Sequence, residues 1–290
     1  MSGAEPLLRS VSDTALWTAL FRARESERPD ALFHDPYARR LAGERGEQIA
    51  AAVPFAAKHA WSFTARTYLV DQLLTAAIHQ GADLVVNLAA GLDTRPYRLA
   101  LPPALPWIEV DLPGILDYKE SVLRGVAPVC ALERVRLDLG DAAARAELLQ
   151  RLGQRARRGV VVAEGLLIYL EAEAVAGLAR ELARAQGFER WIFDLASPGL
   201  VRLMQRQMGR EVAAAGAPFR FGPAEGPAFF APLGWKLGAV HSPLQTAAQV
   251  HRLPWTLRLF ALLPATHPGA NLRRPWSGVC NLERAAPLSS

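Results

Sequence analysis

The sequence predicts an α/β fold with a doubly wound, mostly parallel sheet, and two observations lead to this prediction. Short apolar runs of strand length alternate with longer stretches of helical periodicity through the middle of the chain. Strands that alternate with helices are typical of crossover units, which join parallel strands and cover both faces of a sheet. The 290 residues, 51% of them hydrophobic, are enough for one large domain with a substantial core.

Helices are predicted before the sheet begins. Segments 13–28 and 61–80 carry apolar residues at helical spacing and end at Pro29 and Gly81. Seven strands are then expected, the last of them at an edge of the sheet: 82–91, 105–113, 133–141, 157–170, 189–198, 233–243 and 276–284. Helical stretches between the strands are predicted at 114–124, 141–152 and 171–187.

Composition excludes several classes of protein. No apolar run reaches the roughly 20 residues that span a bilayer, and the N-terminus lacks the pattern of a signal peptide, so we expect a cytoplasmic protein without a membrane span. The two cysteines form no Cys-x-x-Cys pair, and we expect neither a zinc site nor a disulfide framework. The net charge of +5 is spread along the chain, so we expect no nucleic-acid partner.

The turn after the first predicted strand has the character of a ligand site. It reads NLAAGLDTRPYRL (87–99), and Gly91 allows a ligand to approach the backbone close to a helix N-terminus. A dinucleotide fingerprint, G-x-G-x-x-G, would need glycine where this chain has Ala89 and Thr94, and there is no P-loop lysine. The turn therefore suits a ligand without a pyrophosphate.

Acidic residues end the later strands. Asp111 follows Gly91 by 20 residues, the spacing at which a carboxylate binds the hydroxyls of an adenosine ribose, although it could instead cap the next helix. Glu109 is expected on the same side of that strand. Asp138 could read an adenine edge or simply belong to a turn, and Glu164 could cap a helix or point into the cleft. Asp111, Glu164 and Asp194 all occupy strand ends and are expected to meet at one edge of the sheet.

Six segments between about residues 13 and 243 carry a family resemblance. They are Phe33-His-Asp-Pro-Tyr37 with Ala38, Arg66-Thr67, the turn 87–98, Glu109-x-Asp111-Leu-Pro113, Asp138-Leu139 and Ala163-Glu-Gly-Leu-Leu-Ile-Tyr-Leu170. With these segments the sequence resembles the leucine carboxyl methyltransferase family, in particular a bacterial branch of polyketide-tailoring O-methyltransferases similar to the tetracenomycin carboxyl methyltransferase.

The resemblance implies a class I, Rossmann-like methyltransferase sheet of about seven strands and S-adenosylmethionine as cofactor. It further implies a helical N-terminal lid, residues 1–80, and a core, residues 81–290, with substrate-side caps at 199–232 and 244–275. Transferred residue by residue, Arg66 would pair with the methionine carboxylate, Asp111 would bind the ribose, and Glu164 would approach the amino group. The full set of implied cofactor contacts is Arg66, Ala89, Gly91, Asp93, Asp111, Leu112, Asp138, Leu139, Glu164 and Gly165, with Arg24 as a weaker candidate.

The acceptor is expected to be a small, lipophilic or aromatic molecule methylated on a carboxylate or a hydroxyl. Tyr169, His59 and His241 are the candidate substrate-side residues, and none is an evident general base. A carboxylate needs no base at neutral pH, so carboxyl methylation is favoured. Alternatives are carboxyl methylation of a protein C-terminus, or a different or non-catalytic Rossmann ligand-binding protein. The sequence does not indicate an oligomeric state.

Overall fold

The structure, a computed structural model, describes residues 13–214, 216–262 and 274–285. A single seven-stranded sheet organises these residues, in the spatial order β3-β2-β1-β4-β5-β7-β6. The strands are β1 (Leu84–Leu88), β2 (Pro106–Asp111), β3 (Ala131–Arg136), β4 (Gly159–Ala163), β5 (Phe188–Ala196), β6 (Trp235–His241) and β7 (Ser277–Arg284).

The first five strands are parallel, as predicted. The chain runs outward from β1 to β3 and then starts again on the other side of β1 with β4. This reversal of strand order creates a crevice at the carboxyl ends of β1 and β4, where ligands of doubly wound sheets bind. Both of these central strands are buried along their whole length.

The prediction that segment 276–284 forms an edge strand was wrong. β7 lies between β5 and β6 and is antiparallel to both, so β6 is the edge strand. Val279, Cys280 and Leu282 of β7 are buried, as an interior strand requires. Chain order misled the prediction because the last strand inserts beside β5 instead of adding to the outside of β6.

Helices cover both faces of the sheet. Val161 of β4 packs on one face with leucines of α7 and α8, while Val160 and Val162 pack on the other face with leucines of α4. The helices are α1 (Asp13–Ser26), α2 (Ala38–Ala52), α3 (Pro54–Lys58), α4 (Ala60–His79), α5 (Arg95–Arg98), α6 (Pro113–Val122), α7 (Ala142–Arg155), α8 (Ala172–Arg184), α9 (Pro198–Ala214), α10 (Pro243–Gln249) and α11 (Arg258–Ala261).

The N-terminal helices form a cluster of their own beside the sheet. Leu16 and Leu20 of α1 pack with Leu41 and Ile49 of α2, and this cluster continues to Met208 of α9. The helical character predicted for residues 13–80 is therefore confirmed, while the division into lid, core and caps stays a prediction. Part of the predicted cap 244–275 lies outside the described residues. None of the helices in the described ranges has the length and apolar character to cross a bilayer.

Candidate active site

A cavity of about 500 Å³ opens at the carboxyl ends of β1, β2, β4 and β5. Helices α1, α4 and α9 and the segment after β3 contribute further walls. All ten predicted cofactor contacts line this cavity, and so does Tyr169. Residues that are distant in sequence thus meet because parallel strands end at the same edge of a sheet.

The turn after β1 adopts a conformation that favours small residues. Ala89 and Gly91 both have positive φ, at 52° and 48°. A Cβ on Gly91 would lie 3.4 Å from the Cβ of Ala15, so this residue passes close to α1. Asp93 holds the turn together because its carboxylate accepts hydrogen bonds from the Asn87 amide, at 2.8 Å, and from the Arg95 backbone N–H.

Asp111 connects β2 to this turn. Its carboxylate accepts a hydrogen bond from the Gly91 N–H at 2.6 Å and another from the Leu112 N–H at 2.7 Å. Helix α6 has no side-chain cap, so the alternative role of Asp111 as a helix cap is wrong. A carboxylate offers about four lone-pair sites, and two of them remain for a ligand. Burial raises the pKa of Asp111, and the two backbone N–H groups limit that rise.

Glu109 is fully buried and does not line the cavity. Lys119, also fully buried, donates to it at 2.6 Å, and Arg134 donates to its other oxygen at 3.0 Å. Strand alternation predicts that Glu109 lies on the same side of β2 as Asp111. Because Glu109 does not line the cavity, it is nevertheless not a candidate ligand residue. Glu109 of β2 thus bonds to α6 through Lys119 and to the neighbouring strand β3 through Arg134.

Arg66 of α4 reaches over the ends of β4 and β5. Its Nε lies 2.9 Å from Glu164 and one terminal nitrogen lies 3.1 Å from Asp194. Asp194 also accepts the Gly165 N–H, at 2.5 Å. A guanidinium has five N–H donors, so these two bonds leave donors for an additional anionic group.

Arg95 is the main residue of the site that sequence reasoning missed. Its buried guanidinium donates to Asp71 at 2.6 Å, to Asp93 at 2.7 Å and to Glu164 at 2.9 Å. Burial opposes the ionisation of Glu164, but the charges of Arg95 and Arg66 outweigh it and lower the pKa of Glu164. Glu164 is therefore ionised near neutral pH and is a weak proton acceptor. The alternative of a helix cap at Glu164 is not what the structure shows.

Asp138 is exposed and makes a hydrogen bond to its own turn, from the Gly140 N–H at 2.8 Å. Leu139 follows it at the same rim of the cavity. Arg24 pairs with Glu47 on the surface and is not among the residues that line the cavity.

One of the three candidate substrate-side residues lines the cavity, and the other two do not. Tyr169 lines the cavity and stacks on Phe219, with 5.6 Å between ring centroids. Burial raises the pKa of Tyr169, so its hydroxyl stays protonated at neutral pH. His59 and His241 do not line the cavity in the described structure, and a ring nitrogen of His59 lies 2.7 Å from the Phe55 carbonyl oxygen.

The cavity wall on the α9 side is apolar. Leu200, Met204 and Met208 of α9 line it together with Ile168 and Phe219. Four other aromatic residues between positions 219 and 235 do not reach the cavity, because they pack against the sheet. These are Phe221, Phe229, Phe230 and Trp235.

The chain is similar in sequence to known proteins. The model of the leucine carboxyl methyltransferase family matches residues 15–183. A predicted S-adenosyl-L-methionine-dependent methyltransferase of Mycobacterium sp. (strain KMS) is 35% identical over 252 residues, which cover 78% of this chain and 83% of that protein. A predicted methyltransferase of the same description from Frankia alni is 40% identical over 180 residues, which span 58% of this chain and 62% of that protein.

Solved structures support the fold. A DUF574 family protein from Streptomyces avermitilis matches with a TM-score of 0.57 at 14% identity, covering 93% of this chain and 97% of that one. A predicted methyltransferase from Thermobifida fusca matches with a TM-score of 0.55 at 14% identity, covering 97% and 96%. The family match over more than half of the chain, together with the relative that is 35% identical, shows that the chain belongs to the leucine carboxyl methyltransferase family.

Proposed function

We propose that this protein binds S-adenosylmethionine and transfers its methyl group to an oxygen of a small, lipophilic acceptor, with a carboxylate as the preferred nucleophile. The observation that carries the proposal is the position of Asp111. Its carboxylate lines the cavity at the end of β2 and lies next to the Gly91 turn. Two of its lone-pair sites are free to accept the ribose hydroxyls of an adenosine.

The charge of the cavity favours this cofactor over a dinucleotide. Carboxylates outnumber arginines five to three among the described lining residues, which are Asp93, Asp111, Asp138, Glu164 and Asp194 against Arg22, Arg66 and Arg95. S-adenosylmethionine carries a sulfonium and an ammonium group, which an excess of carboxylates attracts. The same excess repels the pyrophosphate of a nicotinamide dinucleotide, so a hydride-transferring oxidoreductase is disfavoured.

The proposed roles follow from the contacts. Arg66 would bind the methionine carboxylate with its spare donors, and Glu164 would accept from the ammonium group because its pKa is lowered. When bound, the cofactor supplies a methyl group on a positively charged sulfur, and the protein contributes alignment of the acceptor. Asp111 and Gly91 would hold the adenosine end of the cofactor, which leaves the apolar α9 wall for the acceptor.

The residues that line the cavity favour an acceptor whose nucleophile is already ionised. No histidine lines the cavity in the described part of the chain. Glu164 is held as an anion by Arg95 and Arg66, and the raised pKa of Tyr169 keeps its hydroxyl a donor. A phenol would need a base, whereas a carboxylate with a pKa near 4 is already ionised. The methionine and phenylalanine wall suits a flat apolar body, such as a polyketide-like aromatic acid.

The proposal is tested by methyl transfer from isotopically labelled S-adenosylmethionine to matched acceptors. A naphthoic acid, the corresponding naphthol and the corresponding naphthamide differ only in the functional group. We expect label in the acid, less in the naphthol and none in the amide, and much less label in the acid with Asp111→Ala. Transfer to the naphthol alone would contradict the carboxylate preference, and transfer only to a peptide with a free C-terminal carboxylate would favour a protein acceptor.

A further inference from the structure

The C-terminal part of the chain has an uneven charge distribution. Residues 226–282 contain no aspartate or glutamate, although the chain has 28 acidic residues in total. The same stretch contains one lysine, four arginines and three of the six histidines. The proposed active site does not explain this bias, because its cavity is itself rich in carboxylates.

An exposed apolar patch lies within this acid-free stretch. Four large side chains are turned to solvent within eight residues: Trp255 is 80% exposed, Leu259 77%, Phe260 57% and Leu262 81%. These four residues are here called the apolar patch. Seven large hydrophobic side chains are exposed in the described structure, and four of them belong to this patch. Exposed hydrophobic residues are usually scattered singly, and a contiguous group marks an interaction site.

The segment that carries the patch is anchored to the rest of the protein. Leu257 and Ala261, on its inner side, pack with Leu253 against Ala65 of α4 and Ala247 of α10. Just before the patch, Arg252 forms ion pairs with Glu25 at 2.8 Å and Asp30 at 3.0 Å. The four exposed side chains therefore project from a fixed base.

Positive charge accompanies the apolar side chains. Arg258 is exposed between Trp255 and Leu259. The two acids that contact this segment, Glu25 and Asp30, are paired with Arg252. A tryptophan, leucines and a phenylalanine beside an unopposed arginine are the composition of segments that bind at a membrane–water interface.

We propose that the apolar patch docks the protein on the surface of an anionic lipid bilayer. Trp255, Leu259, Phe260 and Leu262 insert into the headgroup region, and Arg258 contacts anionic headgroups. A second copy of the chain is a weaker fit, because one helical turn is far smaller than the 20–30 residues that each side of a stable interface contributes. An acidic protein partner would use the arginine but would not need four large apolar side chains.

Helix α4 connects this surface with the cavity. Trp61 and Ala65 of α4 pack against the base of the patch, while Ser62, Phe63 and Arg66 line the cavity. Docking would thus place the cavity near the lipid from which an apolar molecule can enter. The docking proposal does not depend on the methyltransferase proposal, since it rests on different residues.

The experiment is co-sedimentation of the 290-residue protein with lipid vesicles. We expect binding to vesicles of phosphatidylcholine with phosphatidylglycerol, weaker binding to phosphatidylcholine alone, and a decrease with salt. The variant Trp255→Ser/Leu259→Ser/Phe260→Ser should lower the partition coefficient more than about tenfold. Arg258→Glu should lower it about fivefold, and only for anionic vesicles. Val129→Ser removes an exposed apolar residue elsewhere, 40% exposed, and should bind like the wild type.

Three results would overturn the proposal. The first is the absence of wild-type binding to anionic vesicles, and the second is equal binding by the wild type and the triple variant. The third is a wild-type dimer in light scattering that the triple variant converts to a monomer, which would assign the patch to a second copy. Circular dichroism of each variant shows that a change in binding does not come from unfolding.

Discussion

The two sides of the cavity are built from different parts of the chain and have different chemistry. The strand-end side, from β1, β2, β4 and β5, holds carboxylates and arginines that bond to one another, such as Arg95 with Asp93 and Glu164. The α9 side is lined by leucine, methionine and phenylalanine. The family match covers residues 15–183 and stops before α9. We propose that the charged side, fixed by these bonds, binds the cofactor and that the apolar side binds the acceptor.

The largest expected effect concerns the fixed side. Arg95→Met should lower the free energy of unfolding by about 3–5 kcal/mol, because it leaves Asp71, Asp93 and Glu164 without their buried cation. Urea denaturation measures this change. Arg155→Met, which removes an exposed arginine paired with Glu133, is the control and should cost at most about 1 kcal/mol. Equal costs for the two variants would mean that the Arg95 network contributes no more than a surface pair.

The second-largest effect is expected for Asp111, on the binding of the cofactor. Asp111→Ala should weaken S-adenosylhomocysteine by about 2 kcal/mol or more, since the ribose hydroxyls lose charge-assisted hydrogen bonds. Calorimetric titration gives the affinity, and urea denaturation confirms that the variant is folded. Asp117→Ala removes an exposed carboxylate outside the cavity and should bind normally. An unchanged affinity of Asp111→Ala would refute the ribose assignment.

Arg66 should distinguish ligands with and without a carboxylate. Arg66→Ala should weaken S-adenosylhomocysteine by about 1–2 kcal/mol more than it weakens methylthioadenosine, which has no carboxylate. Both ligands are titrated against both proteins. Arg24→Ala is the control, and its exposed position predicts no change. If Arg66→Ala weakens the two ligands equally, Arg66 acts only through Glu164 and Asp194.

The α9 side should affect the acceptor alone, with the smallest effect. Met204→Ala should raise the KM for the acceptor about fivefold and leave the affinity for S-adenosylhomocysteine unchanged, because a lost apolar contact is worth about 1 kcal/mol. Arg202→Ala, an exposed residue of the same helix, is the matched control. A loss of cofactor affinity in Met204→Ala would contradict the proposal that the α9 side binds the acceptor and not the cofactor.

Much of the strand-end side could be predicted from the sequence. Strand ends are marked by a change from β-branched residues to small or acidic ones, and parallel topology then places Gly91, Asp111 and Glu164 together. The predicted fold class is confirmed for the same reason, since alternation of strands and helices is a local pattern. The roles of the ten cofactor contacts stay predictions, although all ten line one cavity.

The remaining features depend on contacts between distant segments. Arg95 bonds to Asp71 on α4 and to Glu164 after β4, and no local pattern announces such a pairing. The place of β7 inside the sheet and the packing of Phe230 against Trp191 are also set by tertiary contacts. A run of aromatic residues predicts burial but does not specify which surface covers it.

The central claim is that the cavity binds S-adenosylmethionine, and calorimetric titration of the wild type with S-adenosylhomocysteine tests it most directly. NADH is the control because it shares the adenosine but adds a pyrophosphate. The account predicts binding of S-adenosylhomocysteine in the micromolar range and no measurable binding of NADH. Binding of NADH without binding of S-adenosylhomocysteine would contradict the account and assign the cavity to a dinucleotide.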